Sequence, residues 1–411
     1  PLALTQYECQ NSLSWQTIPM ERNELEALLN PESLRLLASL READEPRDTA
    51  ALVPKLRKAG HSAETVAAVL GQWNLRPKAL DKFGTFADRM LFTKAGLEQA
   101  TRLAISSHHA TRFQQGELRS VGDLGCGIGG DSLAFAGLSL SVRAVDADPV
   151  TVAIAGYNLQ PFDTVTVSPG QAEETDLDGL DALWFDPARR SASKRLNNPA
   201  DWSPRLDWVL KQAQIHPAGI KLAPGMDRAL IPEGVEAQWI SHHGSVAEMV
   251  LWSRELARPS ITRSALVLSP RGTAELTGAQ DAEDAPVGDL GSYLVEPDGA
   301  VIRARLIGDL ARRHEGVMLD DSIAYFSTKK AVSTPLAQCF AIEAVIPYNL
   351  KRVKELVAGA DVGSLEIKKR GIDIDPAGLR QELSLRGSGE KTLIATRYRG
   401  DRIAILASRV P

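Results

Sequence analysis

The feature that most constrains this chain is a glycine-rich segment, DLGCGIGG at residues 123–130, which follows a short apolar run and precedes a helical pattern. Glycines at Gly125, Gly127 and Gly129 allow a sharp backbone turn and let a ligand approach without a Cβ in the way. The spacing also fits the dinucleotide fingerprint GxGxxG, through Gly125, Gly127 and Gly130. A strand, a glycine loop and a helix in this order predict an open α/β sheet with a ligand at the end of its first strand.

Acids near the glycines indicate which ligand it is. Asp123 stands two residues before the first glycine. A carboxylate there favours a positively charged ligand end, such as the ammonium of methionine, over the pyrophosphate of NAD. Asp146 ends a second apolar strand 17 residues after Gly129, where a carboxylate can accept both hydroxyls of a ribose. Asp148, followed by Pro149, fits a helix N-cap better.

Hydrophobic periodicity divides the first two thirds of the chain into two parts. Residues 1–115 have leucines at three- and four-residue spacings, interrupted at Pro31, and predict a helical module. Residues 116–258 alternate short apolar runs with helical stretches, which is typical of βαβ units. The candidate strands lie at 120–124, 141–145, 164–167, 182–185, 220–223, 237–240 and 247–252. We therefore expect a doubly wound sheet of seven strands with one antiparallel edge pair.

The C-terminal third has a different pattern. A stretch rich in Gly, Ala and Asp at 272–288 predicts an exposed linker or a long hairpin loop, and a hairpin-like turn is expected across 293–304. The last 75 residues predict the element order βαβαββ, a small α+β domain. The predicted division of the chain is 1–115, 116–258, 259–334 and 335–411.

Charge and cysteine content narrow the classes of partner. The net charge of −5 argues against a coat for nonspecific DNA binding, although 13 Lys and Arg against 9 Asp and Glu from residue 335 onward indicate, weakly, a polyanionic partner. Three cysteines without CxxC spacing predict neither a structural zinc site nor a disulfide frame. No apolar run is long enough to span a bilayer, and no secretory signal opens the sequence as given. We expect a cytoplasmic protein with no metal and no membrane partner.

Several of these motifs together resemble class I S-adenosylmethionine-dependent methyltransferases. They are D-x-G-x-G-x-G at 123–129, V-D-x-D-P at 145–149 and the later F-D-P, and the resemblance covers about residues 118–252. It implies S-adenosylmethionine as cofactor. In that architecture the loop after the third strand borders the adenine ring, where Gln171 could offer an amide and Ala172 a backbone N–H; a polar loop without a ligand is the alternative. The residues expected to bind the cofactor are Asp123, Gly125, Cys126, Gly127, Gly129, Asp146, Ala147, Gln171, Ala172 and Asp186.

A narrower resemblance covers nearly the whole chain. LFTKAGLEQAT at 91–101, FDPARR at 185–190 and the α/β tail are similar to bacterial methyltransferases that carry a THUMP-like C-terminal domain. This resemblance implies an α/β fold class, with a Rossmann-like seven-stranded methyltransferase sheet, a helical N-terminal module and a small ferredoxin-like plus THUMP-like α+β region at the C-terminus. It also implies methyl transfer to RNA, since THUMP domains of other proteins bind RNA.

The segment after the fourth strand resembles the (D/N)-P-P-(Y/F/W) motif of methyltransferases that act on exocyclic amines of bases. There the first residue and backbone carbonyls accept hydrogen bonds from the amino group, and the aromatic ring stacks on the base. This chain keeps Asp186 and Pro187 but has Ala188 and Arg189 in the last two places, which removes the ring. An Arg guanidinium can stack on a base or bind a phosphate. The resemblance thus implies catalytic roles for Asp186, Pro187 and Arg189, with a strand-end cap as the alternative for Asp186. Cys126 is expected to be a packing residue rather than a nucleophile.

Basic residues follow the reaction loop and recur in the tail. Their placement beside Asp186 or in the RNA-facing part of the tail favours contact with substrate phosphates or the acceptor pocket, and solvated surface charge is the alternative. The residues expected to bind substrate are Arg190, Lys194, Lys221, Lys368, Lys369 and Arg370. The predicted activity is methyl transfer to a nucleotide of tRNA or rRNA. A small-molecule methyltransferase, or an RNA-binding protein that holds the cofactor without turnover, stays open as an alternative.

Overall fold

The computed structural model describes residues 20, 22–42, 48–188, 190–191, 194–195 and 198–411, and the two short pieces 190–191 and 194–195 are described by their backbone alone. The chain divides into two compact units. The first is Pro1–Lys221 with Ser253–Leu256, and the second is Leu222–Trp252 with Ala257–Pro411.

The first unit opens with helices that begin at polar caps. The side chains of Asp48, Ser62 and Thr93 accept hydrogen bonds from backbone N–H groups in the first turn of the helix that follows each, groups that have no partner inside a helix. Pro31 begins the second helix, where its missing N–H removes no helical bond. For the described residues from 22 to 115 the predicted helices are confirmed, with α1 (Arg22–Leu29), α2 (Pro31–Glu42), α3 (Thr49–Lys58), α4 (Ala63–Phe83), a 3₁₀ turn (Gly84–Asp88), α5 (Lys94–Gln99) and α6 (Leu103–Gln115). The prediction for residues 1–19, 21 and 43–47 lies outside the described residues.

A parallel sheet forms the centre of the first unit. Its strands are β1 (Ser120–Leu124), β2 (Ser141–Asp146), β3 (Val165–Pro169), β4 (Ala182–Phe185) and, later in the chain, β7 (Ala218–Leu222). They lie in the order β3-β2-β1-β4-β7, with every neighbouring pair parallel. The chain order reverses between β1 and β4, so a crevice for a ligand opens there, at the carboxyl ends of the strands.

Helices and one short hairpin join these strands. The connections are α7 (Gly130–Gly137), α8 (Pro149–Leu159), the 3₁₀ turn Ala172–Glu174, the hairpin β5 (Arg190–Ser191) with β6 (Lys194–Arg195), and α9 (Leu206–Ile215). Every residue of β4 is buried, and so is every residue of β7. A strand that is covered on both faces has a continuous run of apolar residues in the sequence, and such runs are the reason that these strands could be predicted.

The second unit contains four strands that continue the predicted methyltransferase region. β8 (Glu236–His242) pairs antiparallel with β9 (Ser245–Ser253) and parallel with β10 (Arg263–Ser269), and β11 (Gly272–Gly278) pairs antiparallel with β10. All seven predicted strands are therefore present, and β8 with β9 is an antiparallel pair as expected. The pair does not lie at an edge, because β8 also pairs with β10 and β11 follows β10. The expectation of a linker or hairpin loop across 272–288 is wrong for residues 272–278, which form β11. β11 exposes Gly272, Thr273 and Glu275 and has only one fully buried side chain, Leu276, so it lacks the apolar run that marks a strand.

A second sheet makes up the rest of this unit, in the order β13-β14-β12-β15-β18-β17-β16. Its strands are β12 (Tyr293–Pro297), β13 (Val317–Asp320), β14 (Ile323–Thr328), β15 (Ala337–Pro347), β16 (Ser364–Lys369), β17 (Glu390–Tyr398) and β18 (Asp401–Arg409). Its helices are α10 (Gly299–Arg303), α11 (Ile307–Arg313), α12 (Leu350–Gly359) and α13 (Pro376–Glu382). The predicted order βαβαββ is confirmed for the tail. The expected hairpin across 293–304 is wrong, because Asp298 caps a helix, α10, where a second strand was expected.

This sheet has a different apolar cluster on each face. One cluster joins Leu294, Tyr325, Phe340 and Ile405, from four strands. The other packs α12 and α13 against the opposite face and includes Val353 and Leu379. β12 pairs directly with β15, so the strands on both sides of the predicted boundary at 334/335 belong to one sheet.

Candidate cofactor and reaction site

The glycine loop turns sharply between β1 and α7 and is bound to the end of β2. Gly125, Gly127 and Gly129 have φ of 99°, 56° and 85°, a region that other residues rarely adopt. The N–H of Gly125 donates to the Val145 carbonyl at 2.9 Å. A Cβ on Gly129 would lie 2.9 Å from a methyl carbon of Leu159. Backbone conformation and close packing both require glycine in this loop.

Asp123 is a buried acid at the end of β1, only 1% exposed. Ser132 Oγ donates to its Oδ2 at 2.5 Å, and its Oδ1 has no hydrogen-bond partner among the described residues. Burial, together with the nearby Asp131, raises the pKa of Asp123 to about 8. A buried oxygen without a donor is costly to the folded protein. It therefore fits a ligand that brings a positively charged donor, as the sequence predicts.

Asp146 lies at the carboxyl end of β2 and is bound to two loops. Its Oδ2 accepts from the N–H of Gly127 at 2.9 Å, and its Oδ1 accepts from the N–H of Asp148 at 3.0 Å. Burial raises its pKa. Asp148 is the N-cap of α8, accepting from two backbone N–H groups in its first turn, so its interpretation as a cap is confirmed. Ala147, between the two acids, is exposed.

The loop after β3 lies beside a cavity of about 430 Å³, lined among others by Val145, Gly170 and Gln171. Gln171 is exposed and Ala172 is buried. The N–H of Gly170 donates to the carbonyl of Asp146 at 3.0 Å. This contact brings the third predicted loop next to the acid expected to bind ribose.

The reaction loop follows β4 and touches the glycine loop. A Cβ on Gly125 would lie 3.1 Å from the carbonyl oxygen of Asp186. Pro187 is buried, and the N–H of Ala188 donates to the Ser203 carbonyl at 2.7 Å. The sequence places Asp123 on the first strand and Asp186 after the fourth, and in the structure these strands are neighbours, with Asp123 paired to Trp184, two residues before Asp186. Arg189 lies outside the described residues, as do the side chains of Arg190 and Lys194.

Lys221 joins the reaction loop to residues that the sequence did not single out. Its Nζ donates to Asp186 Oδ2 at 2.5 Å and to Thr101 Oγ1 at 2.8 Å. Thr101 Oγ1 donates to Asp131 Oδ2, and the other oxygen of Asp131 lies 2.9 Å from His109 Nδ1. Burial alone would raise the pKa of Asp131, but the hydrogen bond and charge of His109 bring it below its usual value.

Only one signal in the sequence could have located part of this group. Thr101 ends the stretch 91–101 that is similar to the bacterial family, whereas His109 and Asp131 belong to no motif. The sequence around a serine, threonine or histidine in a helical pattern does not indicate which residue its side chain contacts. These residues are brought together by the packing of α6 against α7.

The basic residues of the tail make contacts within the second unit. Lys368 Nζ lies 2.7 Å from Glu296 Oε2, and Lys369 Nζ donates to the Ile374 carbonyl at 2.6 Å. The Arg370 guanidinium lies 5.0 Å from the centre of the Tyr325 ring. Lys369 is exposed, whereas the other two are partly buried, so a role for these three in RNA binding stays a prediction.

Among the residues that the structure describes, no cluster of three or more His, Cys, Asp or Glu residues is arranged to hold a metal ion. Within the same residues, no helix has both the length and the apolar character needed to cross a membrane.

Comparison with known proteins identifies the family. Residues 337–409 match the family described as THUMP domain-like, and residues 21–79 match a domain of unknown function. An uncharacterised S-adenosylmethionine-dependent methyltransferase of Mycobacterium tuberculosis is 33% identical over 341 residues, which cover 79% of this chain and 90% of that protein, in strain CDC 1551 and equally in strain H37Rv. A crystal structure of a candidate methyltransferase from Porphyromonas gingivalis W83 has the same fold, with a TM-score of 0.69 and 21% identity over 85% of this chain and 92% of that one. The chain belongs to the S-adenosylmethionine-dependent methyltransferases, and S-adenosylmethionine is its cofactor.

Proposed function

We propose that this methyltransferase transfers a methyl group to a nucleotide of structured RNA, either tRNA or rRNA. The observation that carries the proposal is the THUMP domain-like region at 337–409, in a chain whose reaction loop begins with Asp186 and Pro187. The basic hairpin of β5 and β6 directly after that loop supports it, because an RNA acceptor brings phosphates close to the reacting atom.

The residues at the carboxyl ends of β1 to β4 fit the cofactor. Asp123 would receive the ammonium of its methionine part on the oxygen that lacks a donor. Asp146 would accept the ribose hydroxyls, and Gln171 and Ala172 would border the adenine. Gly125, Cys126, Gly127 and Gly129, with Ala147, would follow the cofactor by backbone contacts, and Asp186 would lie beside its methyl group.

When bound, S-adenosylmethionine supplies an electrophilic methyl group on a sulfonium. The protein's part is then to hold the acceptor in line with that methyl and to exclude water. Asp186 would bind the acceptor group that reacts, with Pro187 fixing the backbone beside it. Arg189, Arg190 and Lys194 would bind the acceptor nucleotide or its neighbouring phosphates, and Lys368, Lys369 and Arg370 would bind RNA elsewhere.

The test is transfer of labelled methyl from S-adenosylmethionine by the purified full-length protein. The acceptors are total RNA and the small-molecule fraction of a strain that lacks the gene. We expect label in tRNA or rRNA and a methylated nucleoside that mass spectrometry finds only in the strain with the gene. Asp186→Ala should lower the rate at least about 100-fold, because it removes the oxygens that hold the acceptor group in line with the methyl.

Each alternative activity has its own outcome in that experiment. Label in the small-molecule fraction alone would replace the RNA proposal with a metabolite methyltransferase. Binding of both cofactor and RNA, with no label in any fraction, would indicate an RNA-binding protein without turnover.

A further inference from the structure

Lys221 is a buried cation at the carboxyl end of β7, with 7% of its surface exposed. It is the only lysine buried to this degree among the residues that the structure describes. Burying an ammonium is unfavourable unless it is paired and hydrogen-bonded. Lys221 meets both conditions through Asp186, at 2.5 Å, and Thr101, at 2.8 Å.

Thr101 orients the ammonium of Lys221. A hydroxyl has one donor, and that of Thr101 points to Asp131 Oδ2 at 2.9 Å while its oxygen accepts from Lys221. Asp131 is held in turn by His109 and lies in the first turn of α7, directly after the glycine loop. Lys221 therefore connects the reaction loop to the element that carries the cofactor loop.

The charges around Asp186 explain why a cation is needed there. Asp123 on β1 and Asp131 on α7 are both buried acids of the same site. Asp131 and Asp186 raise the pKa of Asp123, and Lys221 lowers it. A second lysine, Lys82 of α4, also lies near Lys221. Burial, Arg102 and Lys221 together lower the pKa of Lys82 to about 8. Without Lys221, Asp186 would face the ionised Asp131, and also Asp123 once that acid has lost its proton, and like charges favour the protonated form of Asp186.

We propose that Lys221 is a positioning residue that keeps Asp186 ionised and oriented. Asp186 then accepts a hydrogen bond from an N–H group of the RNA nucleobase whose nitrogen receives the methyl, and it does not activate a ribose hydroxyl. A carboxylate held by an ammonium accepts hydrogen bonds well but is a weak base. A ribose hydroxyl becomes a good nucleophile only when a strong base removes its proton, whereas a nitrogen atom of a nucleobase attacks with its own lone pair. The proton that the methylated nitrogen then loses can pass to Asp186 and on to water. The inference that a nucleobase nitrogen accepts the methyl rests on the proposed function, whereas the positioning role of Lys221 does not.

The role of Lys221 can be measured without any acceptor. Full-length protein labelled with ¹³C at the aspartate carboxyls is titrated by NMR, and the Asp186 signal is identified by its loss in Asp186→Asn. Because the Lys221 ammonium favours the charged form of its partner, we expect this carboxyl to protonate at a pH at least about one unit higher in Lys221→Met than in the wild type. Lys211→Met, which removes an exposed lysine on α9, should titrate like the wild type. Equal titration of Asp186 in the wild type and Lys221→Met would overturn the positioning role.

Thr101→Val provides a second variant if Lys221→Met does not fold. It removes only the hydroxyl that holds Lys221, and a smaller upward shift of Asp186 in the same direction is expected. A thermal melt of each variant checks the fold. An unchanged Asp186 titration in a folded Thr101→Val protein would show that the Thr101 contact does not position Lys221.

The acceptor class is tested by turnover on RNA from a strain lacking the gene. We expect kcat for Lys221→Met to fall about 100-fold, with KM for S-adenosylmethionine within about threefold and a remaining rate that rises with pH. Lys221→Arg should recover part of the rate. The digested RNA should contain a nucleoside methylated on a base nitrogen. A 2′-O-methylated nucleoside would overturn the acceptor class, and the absence of any methylated RNA would contradict the proposed function while leaving the NMR result standing.

Discussion

At the scale of single residues, the site is organised around acids with different environments. Asp123 is buried and has one oxygen without a donor, and burial with neighbouring Asp131 raises its pKa to about 8. Asp146 already accepts two backbone N–H groups and is partly exposed. We infer that Asp123 meets the cationic part of the cofactor and Asp146 its neutral hydroxyls.

Asp123 predicts a pH dependence of cofactor binding. In the free protein its raised pKa means that it carries a proton below about pH 8. A bound ammonium favours the carboxylate, so binding releases this proton. The dissociation constant of S-adenosylhomocysteine should therefore fall as pH rises from 6 to 8, by up to about tenfold per pH unit, and level off above that.

Calorimetry with S-adenosylhomocysteine in buffers of different ionisation enthalpy measures both the affinity and the released proton. Asp123→Asn keeps the shape of the side chain but removes the charge. It should bind about 10- to 100-fold more weakly at pH 8 and show little change with pH. Affinity that is independent of pH in the wild type would contradict this account of Asp123.

Asp146 and Asp148 form a matched pair, because both follow β2 and each accepts backbone N–H groups. Asp146→Ala should weaken binding of S-adenosylhomocysteine about 10- to 100-fold, since it loses charge-assisted hydrogen bonds to the ribose. Asp148→Asn should bind like the wild type, because Asn is an equally good N-cap for α8. Isothermal titration of the two variants decides the matter. Equal affinities would refute the ribose assignment.

At the scale of elements, the glycine loop is held in place by two side chains of α8. Leu159 of α8 packs against Gly129, and Asn158 donates to the carbonyl of Ile128 at 3.0 Å. Asn158 also bonds both backbone groups of Leu91, at 2.7 and 3.0 Å. The stretch 91–101 and the cofactor loop thus share one buried amide, which accounts for the position of that stretch in the first unit.

Substitution of one glycine tests how closely this loop is packed. Gly129→Ala places a Cβ 2.9 Å from Leu159 Cδ1 at a φ of 85°. We expect a loss of about 1–3 kcal/mol in the free energy of unfolding and weaker binding of S-adenosylhomocysteine.

Gly137→Ala is the control, because Gly137 ends the same helix, α7, and has open space around its Cα. It should be neutral or stabilising by up to about 1 kcal/mol. Chemical denaturation of both variants measures the difference. A Gly129→Ala protein as stable as Gly137→Ala would show that the loop accommodates a side chain.

At the scale of the whole molecule, the second unit carries both the continuation of the methyltransferase region and the THUMP domain-like tail. β12 pairs with β15 across the boundary that periodicity placed at 334/335. A boundary drawn from sequence follows changes in composition, whereas hydrogen bonds between strands follow the register of the sheet. The four-part division of the chain stays a prediction.

The tail predicts salt-dependent RNA binding by the full-length protein. Lys368, Lys369 and Arg370 changed together to Ala should weaken binding to bulk tRNA and reduce the slope of log K against log salt by about one to two, because contacts with phosphates release counterions. Fluorescence anisotropy at several salt concentrations measures both.

A charge-matched control removes three exposed lysines of the helical module, Lys55, Lys58 and Lys78. This variant should bind as the wild type does. If both triple variants lose the same affinity, the effect is one of net charge and the tail has no particular role.

The sequence by itself determined the elements and the residues at their ends. Helix caps, the positive-φ glycines of the cofactor loop and the acids at the carboxyl ends of β1, β2 and β4 are local features, encoded within a few residues of where they act. Asp123, Asp146 and Asp186 could be predicted for that reason. β11 and α10 could not, because one has too few apolar residues and the other follows an Asp-Gly pair that also suits a hairpin turn.

Only the tertiary structure decided which distant side chains meet. Lys221 lies 35 residues from Asp186 and 120 from Thr101 along the chain, and its ammonium is hydrogen-bonded to both. The parallel order of β1, β4 and β7 and the packing of α6 on α7 bring them together, and no local pattern encodes that order. Hence the acids that we propose to face the cofactor could be identified in the sequence, whereas the pairing of Lys221 with Asp186 is decided by the fold.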